Sequence, residues 1–342
     1  MNQANVTLVC GTCVPERREH LRVIAEATGA VEIRTDPARS LGRSAAERAD
    51  FLDDMAVTIQ SVGQDVVADI PLDVPVTDAV GLVGSEQAAV LADVVCIVDA
   101  THLGKDLADG DYLPGFVARA TLAVHQIEHA SVVLVTNWSA LDAPQLSSTL
   151  SLLSHLNPTA HLDLDVGRWL EDRGTGRAAG GPIAGVGQRP GWVQRLNDHP
   201  SWQPRMLDPR VSSVRFSSVR PFHPGRLRDV LENVGSARAG QLVRSAGFAR
   251  LATRPQVTAL WEHVGQMFDL VPLTRDDADQ EELLCLGQDI VLTGIDLDEA
   301  RLRGLLESAL LTDEEFCAGF ETWANFPDPF PVWVPAHDAA ED

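Results

Sequence analysis

Apolar runs of strand length alternate with stretches of helical spacing through the first half of the chain. Residues 6–10 read as a buried strand broken by Gly11, and residues 16–28 place Leu21, Ile24 and Ala25 on one helical face before Gly29 stops the turn. Residues 30–34 supply a second short strand. Residues 44–62 form an amphipathic helix, with Ser44 as N-cap and Glu47 three positions on, in capping-box spacing. Residues 65–70, 94–98 and 132–135 then read as buried strands, separated by helices at 77–91 and 115–129. A helix at 145–156 and an edge strand at 161–164 follow. Strands alternating with helices predict an α/β domain with a mostly parallel, doubly wound sheet, whose ligands sit beyond the carboxyl ends of the strands.

The pattern then changes. From Gly174 to Gly191 the chain is rich in Gly and Pro and reads as a linker or loop. Beyond it, residues 211–219 read as a strand and residues 224–234 as a helix, joined by Arg220-Pro221-Phe222-His223-Pro224-Gly225-Arg226-Leu227, a strand-to-helix corner in which Pro224 suits a first helical turn. Residues 244–253 and 257–271 read as paired strands rich in Phe, Trp and Val, residues 289–294 as another strand, and residues 298–310 as a helix with Leu302, Leu305, Leu306 and Ala309 on one face. The stretch 323–333 is apolar but broken by prolines, so it is expected to lie against the body. A smaller α+β domain is the expectation here.

A length of 342 residues is comfortable for two domains, and 45% hydrophobic residues describe a soluble globular chain. Charge sharpens the picture: 27 Lys+Arg against 49 Asp+Glu give a formal net charge of −22. Such a surface repels phosphate backbones, which argues against unaided nucleic-acid binding, while a basic protein partner is attracted at long range. Acidic stretches at 50–54 and 276–282 are partner-site candidates. No targeting peptide and no apolar run of about 18 residues is evident, so a cytoplasmic protein is expected. The five cysteines, Cys10, Cys13, Cys96, Cys285 and Cys317, are odd in number and scattered, which points to reduced thiols.

The corner octamer, the segment from Arg244 to Ala252, and Gly287-Gln288-Asp289-Ile290-Val291-Leu292-Thr293-Gly294 leading to Leu310-Leu311-Thr312-Asp313-Glu314-Glu315 together resemble the C-terminal domain of CobW-like proteins. These are P-loop GTP-binding proteins mostly linked to metal delivery. The resemblance implies a degenerate P-loop NTPase-like domain at 1–173, a Gly/Pro-rich linker at 174–208, a CobW-type α+β domain at 209–330, and an acidic tail at 331–342. It also marks Arg220, His223 and Arg226 as a corner motif fixing the interdomain junction, with Gly287 and Gln288 as a second motif of the C-terminal domain.

A working P-loop needs Gly-x-x-x-x-Gly-Lys-Ser/Thr after the first strand, so that backbone N–H groups close on phosphates, Lys reaches the outer phosphates and the hydroxyl holds Mg²⁺. Here the same place reads Gly11-Thr-Cys-Val-Pro15-Glu16-Arg17-Arg18. Only Gly11 survives; Glu16 brings negative charge, Pro15 removes a donor, and Arg17 is the one candidate to replace Lys at phosphate. In Val94-Val-Cys-Ile-Val-Asp99-Ala100 the resemblance makes Asp99 a ligand to a metal-bound water, and in Thr136-Asn137-Trp138-Ser139-Ala140 the guanine-reading Asn-Lys-x-Asp keeps only Asn137. The vestigial nucleotide set is therefore Gly11, Arg17, Asp99 and Asn137, and no catalytic residue is assigned. The family's Cys-x-Cys-Cys metal motif is absent, since residues 34–44 contain no cysteine.

Two other metal candidates stand in the first domain. Cys10 and Cys13 have Cys-x-x-Cys spacing, which suits Zn²⁺ or a redox pair but lacks a second pair, and His125 and His129 lie at i and i+4 on one helical face. No cofactor is fixed by the sequence; GTP and Zn are the two the resemblance brings in. Degraded motifs, the Gln126 helix and a Pro-Asp-Pro-Phe terminus resemble an actinobacterial branch of the family. That branch implies an adaptor recruiting a ribosome hibernation-promoting factor to the small ribosomal subunit under zinc limitation, and the degraded Walker A and Asn-Lys-x-Asp motifs leave GTPase activity open while weighing against it. Two alternatives stay open: a GTP-dependent zinc or cobalt metallochaperone, and a pseudo-GTPase regulator of a metalloenzyme.

Overall fold

The computed structural model describes residues 3–35, 43–85, 89–108, 110–113, 117–174, 190–197, 204, 207–233, 239–275 and 287–333. Two compact units result, one of residues 1–194 and 200–208 and one of residues 195–199 and 209–342. Cys285, the acidic stretch 276–282, most of the Gly/Pro-rich segment and the tail from 334 onward lie outside the described residues.

In the first unit the elements are β1 (Ala4–Cys10), α1 (Val14–Thr28), β2 (Val31–Ile33), α2 (Ala45–Val62), β3 (Val66–Asp69), α3 (Val76–Ser85), β4 (Ala89–Asp99), α4 (Leu103–Ala108), β5 (Tyr112–Leu113), β6 (Val117–Ala118), α5 (Arg119–Glu128), β7 (Val132–Thr136), α6 (Ala143–Leu156), β8 (His161–Asp163) and α7 (Val166–Gly174). Six parallel strands are ordered β2-β3-β1-β4-β7-β8, with β8 at the edge as expected. The crossovers run to one side of β1 until β3 and to the other from β4 onward. The crevice beyond the ends of β1 and β4 is thus the switch point where ligands settle on such sheets.

The buried apolar runs explain the sheet: Val9, Val67, Val95, Ile97, Val132 and Leu134 pack with Leu21 and Ile24 of α1 and Trp169 of α7. Ser44 closes its predicted capping box with Glu47. Two sequence expectations change. The helix expected over 77–91 ends at Ser85, and β4 begins at Ala89, because the sheet extends β4 toward its amino end alongside Ala4 to Val6 of β1. The helix expected from 115 starts at Arg119, because Val117 and Ala118 pair with Tyr112 and Leu113 in a small ribbon.

After α8 (Gly191–Leu196), the second unit comprises β9 (Val211–Ser218), α9 (Pro224–Asn233), β10 (Gln241–Ala249), β11 (Val257–Val264), β12 (Met267–Arg275), β13 (Gln288–Ile295), α10 (Glu299–Ala309), α11 (Asp313–Ala318) and α12 (Phe320–Trp323). Its sheet is antiparallel, ordered β12-β11-β10-β13-β9. Helices α9 and α10 cover it, burying Leu227, Leu302 and Leu306 on Phe216, Trp261 and Ile290. The single strand expected over 257–271 is in fact a hairpin. Val264 pairs with Met267 across Gly265 and Gln266, and Gly265 has φ +58°, which a glycine at the first position of a two-residue turn adopts without strain. The Pro-broken end does lie on this core, with Phe330 and Trp333 packed against it and Trp333 Nε1 donating to the Leu270 carbonyl at 3.1 Å.

Candidate functional site

The loop from β1 to α1 sits at the switch point, and Gly11 makes it possible. Its φ is +146°, and a Cβ there would lie 2.4 Å from the Ile97 carbonyl oxygen. The surviving glycine therefore serves the close approach of β1 to β4.

Two residues later, Cys13 caps α1 through its backbone, its carbonyl accepting from the Arg17 N–H at 3.0 Å. Arg17, at the position of a P-loop Lys, turns inward. It is 2% exposed, its Nε lies 2.7 Å from Asp69 Oδ1, and Nη1 donates to the Gly11 carbonyl at 2.7 Å. Thr35 completes the arrangement by donating to Asp69 Oδ2 at 2.6 Å. A guanidinium so buried and paired is turned away from the loop mouth, where Glu16 stands half-buried and Pro15 offers no N–H. The donor set does not fit a nucleotide triphosphate.

Across the crevice, Asp99 ends β4 and is 4% exposed. Its Oδ1 accepts from the Thr101 N–H at 2.8 Å and the Thr101 hydroxyl at 2.6 Å, and its Oδ2 accepts from Asn137 Nδ2 at 2.8 Å. Burial alone would raise the Asp99 carboxyl, but the bonds from Thr101 and Asn137, with the His102 ring beside it, hold it below the usual carboxylate range. Asn137, in a left-handed conformation at φ +53°, thus orients a carboxylate here.

His102, one turn beyond Asp99, joins the two sides. Its Nδ1 lies 3.4 Å from Cys13 Sγ and 3.4 Å from Asp99 Oδ2, and the donor atoms of Cys13, Asp99 and His102 all fall within 4.8 Å of one another. Burial, reinforced by Asp106, Asp99 and Glu16, pushes the Cys13 thiol up to about 11. Beside this cluster lies a small cavity with room for about one water molecule, lined among others by Thr12, Asp99, Asp106 and Gln126. Thr12 donates to Asp106 Oδ2 at 2.8 Å. Gln126 is fully buried, and neither its amide oxygen nor its amide nitrogen is hydrogen-bonded.

The remaining sequence candidates fall elsewhere. Cys10 is fully buried and its thiol neighbours Cys96, its register partner on β4, so the Cys-x-x-Cys pair does not converge on one point. His125 and His129 stack edge to face with centroids 6.3 Å apart, and His129 Nδ1 is held at 2.9 Å by the His125 carbonyl. His102 was not singled out from the sequence. The Asp-x-x-His spacing at the end of an apolar run was its one available signal.

In the second unit the corner motif is structural. His223 Nδ1 accepts the Arg226 N–H at 3.4 Å and so caps α9; Arg226 grips Glu315 with bonds of 3.0 and 2.6 Å and donates to the Leu310 carbonyl at 2.8 Å; Arg220 pairs with Asp313. Gln288, 2% exposed, accepts from the Arg250 N–H and donates to the Arg220 and Arg250 carbonyls, each at 3.0 Å. Gly287 lets Ser218 approach, since a Cβ would lie 2.1 Å from the Ser218 carbonyl oxygen. All these partners belong to the second unit, so the motif knits that unit internally.

Residues 211–310 match the family described as Cobalamin synthesis protein cobW C-terminal domain. The chain is 23% identical over 268 residues to the Zinc-regulated GTPase metalloprotein activator 1 of Dictyostelium discoideum, an alignment covering 70% of this chain and 56% of that protein. It therefore spans little more than half the length of that curated relative. Among solved structures, the Zn(II)-bound YjiA GTPase from E. coli matches at 18% identity with a TM-score of 0.39, covering 91% of this chain and all of the other. A Zn(II)-bound triple mutant of the same GTPase gives 17%, 0.38 and the same coverage. Among the described residues no helix is long and apolar enough to cross a membrane.

Proposed function

We propose, for a chain whose second unit carries a cobW C-terminal domain, that it works by contact with a protein partner and not as a GTP-driven switch. The observation that carries this reading is Arg17: the side chain a P-loop would aim at phosphate is spent on Asp69 and the Gly11 carbonyl inside the fold. Restoring it to a phosphate would strand the buried Asp69 carboxylate, an expensive exchange. In its finer form the proposal is an adaptor that recruits a ribosome hibernation-promoting factor to the small ribosomal subunit under zinc limitation. The net charge of −22 supports a basic partner of that kind.

A second reading, regulation or delivery of metal, is favoured by the Cys13–Asp99–His102 cluster and by a relative whose name describes a zinc-regulated metalloprotein activator. Two measurements separate the readings. Titration with a fluorescent GTP analogue and Mg²⁺ should give no saturable binding; tight binding would refute the contact reading. Affinity purification of the tagged chain from zinc-starved cells should enrich the hibernation factor with small-subunit proteins, whereas recovery of a metalloenzyme instead would select metal regulation.

A further inference from the structure

His102 Nδ1 brings a thiol and a carboxylate into ligand range of one ring nitrogen. One ring nitrogen faces two partners at 3.4 Å, the Cys13 sulfur and the Asp99 carboxylate, and it can satisfy one as donor or the other as acceptor, not both. A metal ion satisfies all three groups at once. For tetrahedral Zn²⁺ with ordinary bond lengths, a nitrogen and an oxygen ligand stand about 3.4 Å apart and a sulfur and a nitrogen about 3.6 Å. Both distances observed at His102 are 3.4 Å, close to these two edges, and all three donor atoms lie within 4.8 Å of one another.

We propose that Cys13, Asp99 and His102 form a mononuclear Zn²⁺ site in the place where a P-loop would hold phosphate. The donor chemistry selects the ion: a thiolate and an imidazole favour Zn²⁺ over Mg²⁺, which takes oxygen ligands. As the metal–sulfur bond forms, the thiol proton passes to solvent. Three protein ligands leave a fourth position for water, the pattern of open sites and not of closed structural ones. Two further features support it. Asp99 is held in place by Thr101 and Asn137, as outer-shell partners orient ligating carboxylates. The buried, unpaired amide of Gln126 and the carboxylate of Asp106 line the adjoining cavity, which suits a polar occupant such as a water.

The ligands come from different segments, the loop after β1 and the turn after β4. Zinc therefore adds a second tie between segments that the Thr12–Asp106 hydrogen bond already links, and gives the molecule a metal-dependent surface at its switch point. This deepens the proposed function by supplying a zinc input. It is tested on the isolated chain, so its failure leaves the partner reading standing, and the reverse holds too.

The test is titration of the full chain with Co²⁺ and then Zn²⁺, under reducing conditions. One equivalent should bind, with a thiolate-to-cobalt charge-transfer band that Zn²⁺ displaces. Cys13→Ser should abolish the band, and His102→Ala should weaken zinc affinity at least about 100-fold, more than loss of an outer-shell partner costs. His102 is exposed, so its variant keeps the unfolding midpoint of the metal-free chain. Cys317→Ser and His129→Ala should bind as the parent does. A band that survives Cys13→Ser, or affinity unchanged in His102→Ala, overturns the site, as does the absence of any saturable equivalent.

Discussion

Arg17 shows how far a sequence position can be read and where that stops. Loop spacing places it opposite a phosphate, but spacing does not say which way a side chain turns, and its partner Asp69 lies on another strand. Both side chains are at most 3% exposed, so removing one leaves a buried charge without its counterion. Arg17→Ala should lower the unfolding free energy by about 3–5 kcal/mol in urea denaturation, and the double variant Arg17→Met with Asp69→Leu should recover most of it. A loss below 1 kcal/mol for the single variant would mean that water reaches the pair. The same limit hid His102. Cys13 and Asp99 were each legible as chemistry-bearing residues just past or at the end of separate apolar runs, yet their meeting depends on β1 and β4 being neighbours, which topology decides and local pattern does not.

At the scale of elements, strands and helices with strong local signals were legible: β7, the edge strand β8, the Ser44 capping box and the Pro224 start of α9 all follow from their residues. Boundaries failed where pairing overrides propensity, as in the β4 extension, or where alternation runs unbroken through a turn, as at Gly265. The corner motif was recognisable as a motif, but its role, clamping α9 to α11, becomes visible only in three dimensions. Arg226 is the main cause that holds the Glu315 carboxyl down at about 2 against a usual 4.5, opposed in part by burial. A depressed carboxylate stabilises the fold fully above its unfolded value and loses that contribution as pH falls through its folded one. The parent and Glu315→Gln should therefore differ most in thermal midpoint above pH 5 and converge between about pH 4.5 and 2. With Glu315 about a quarter exposed, solvent screening reduces the difference to about 1 kcal/mol. A gap that persists unchanged to pH 2 would assign the effect to the α11 capping box, which Glu315 also serves through Thr312.

For the whole molecule, a formal charge of −22 admits two explanations, solubility alone or attraction of a basic partner. They differ in kinetics. A surface that only keeps the chain dispersed does not direct encounters, so the association rate with any partner should vary little with ionic strength. A steering surface accelerates productive encounters at low salt and is screened once the Debye length falls from about 10 Å at 0.1 M to about 3 Å at 1 M. If the proposed adaptor reading holds, association with the purified hibernation factor should slow by about tenfold or more between 0.05 and 0.5 M NaCl, while dissociation changes far less, because rim charges act mainly on the approach. Surface plasmon resonance at several salt concentrations reads both rates. A flat association rate would leave the acidic surface to solubility and move the search for partner recognition to packed contacts. Repeating the series with and without Zn²⁺ then asks whether the Cys13–Asp99–His102 surface belongs to that interface: a zinc effect on dissociation alone places it in the docked contact, and one on association alone places it at the approach.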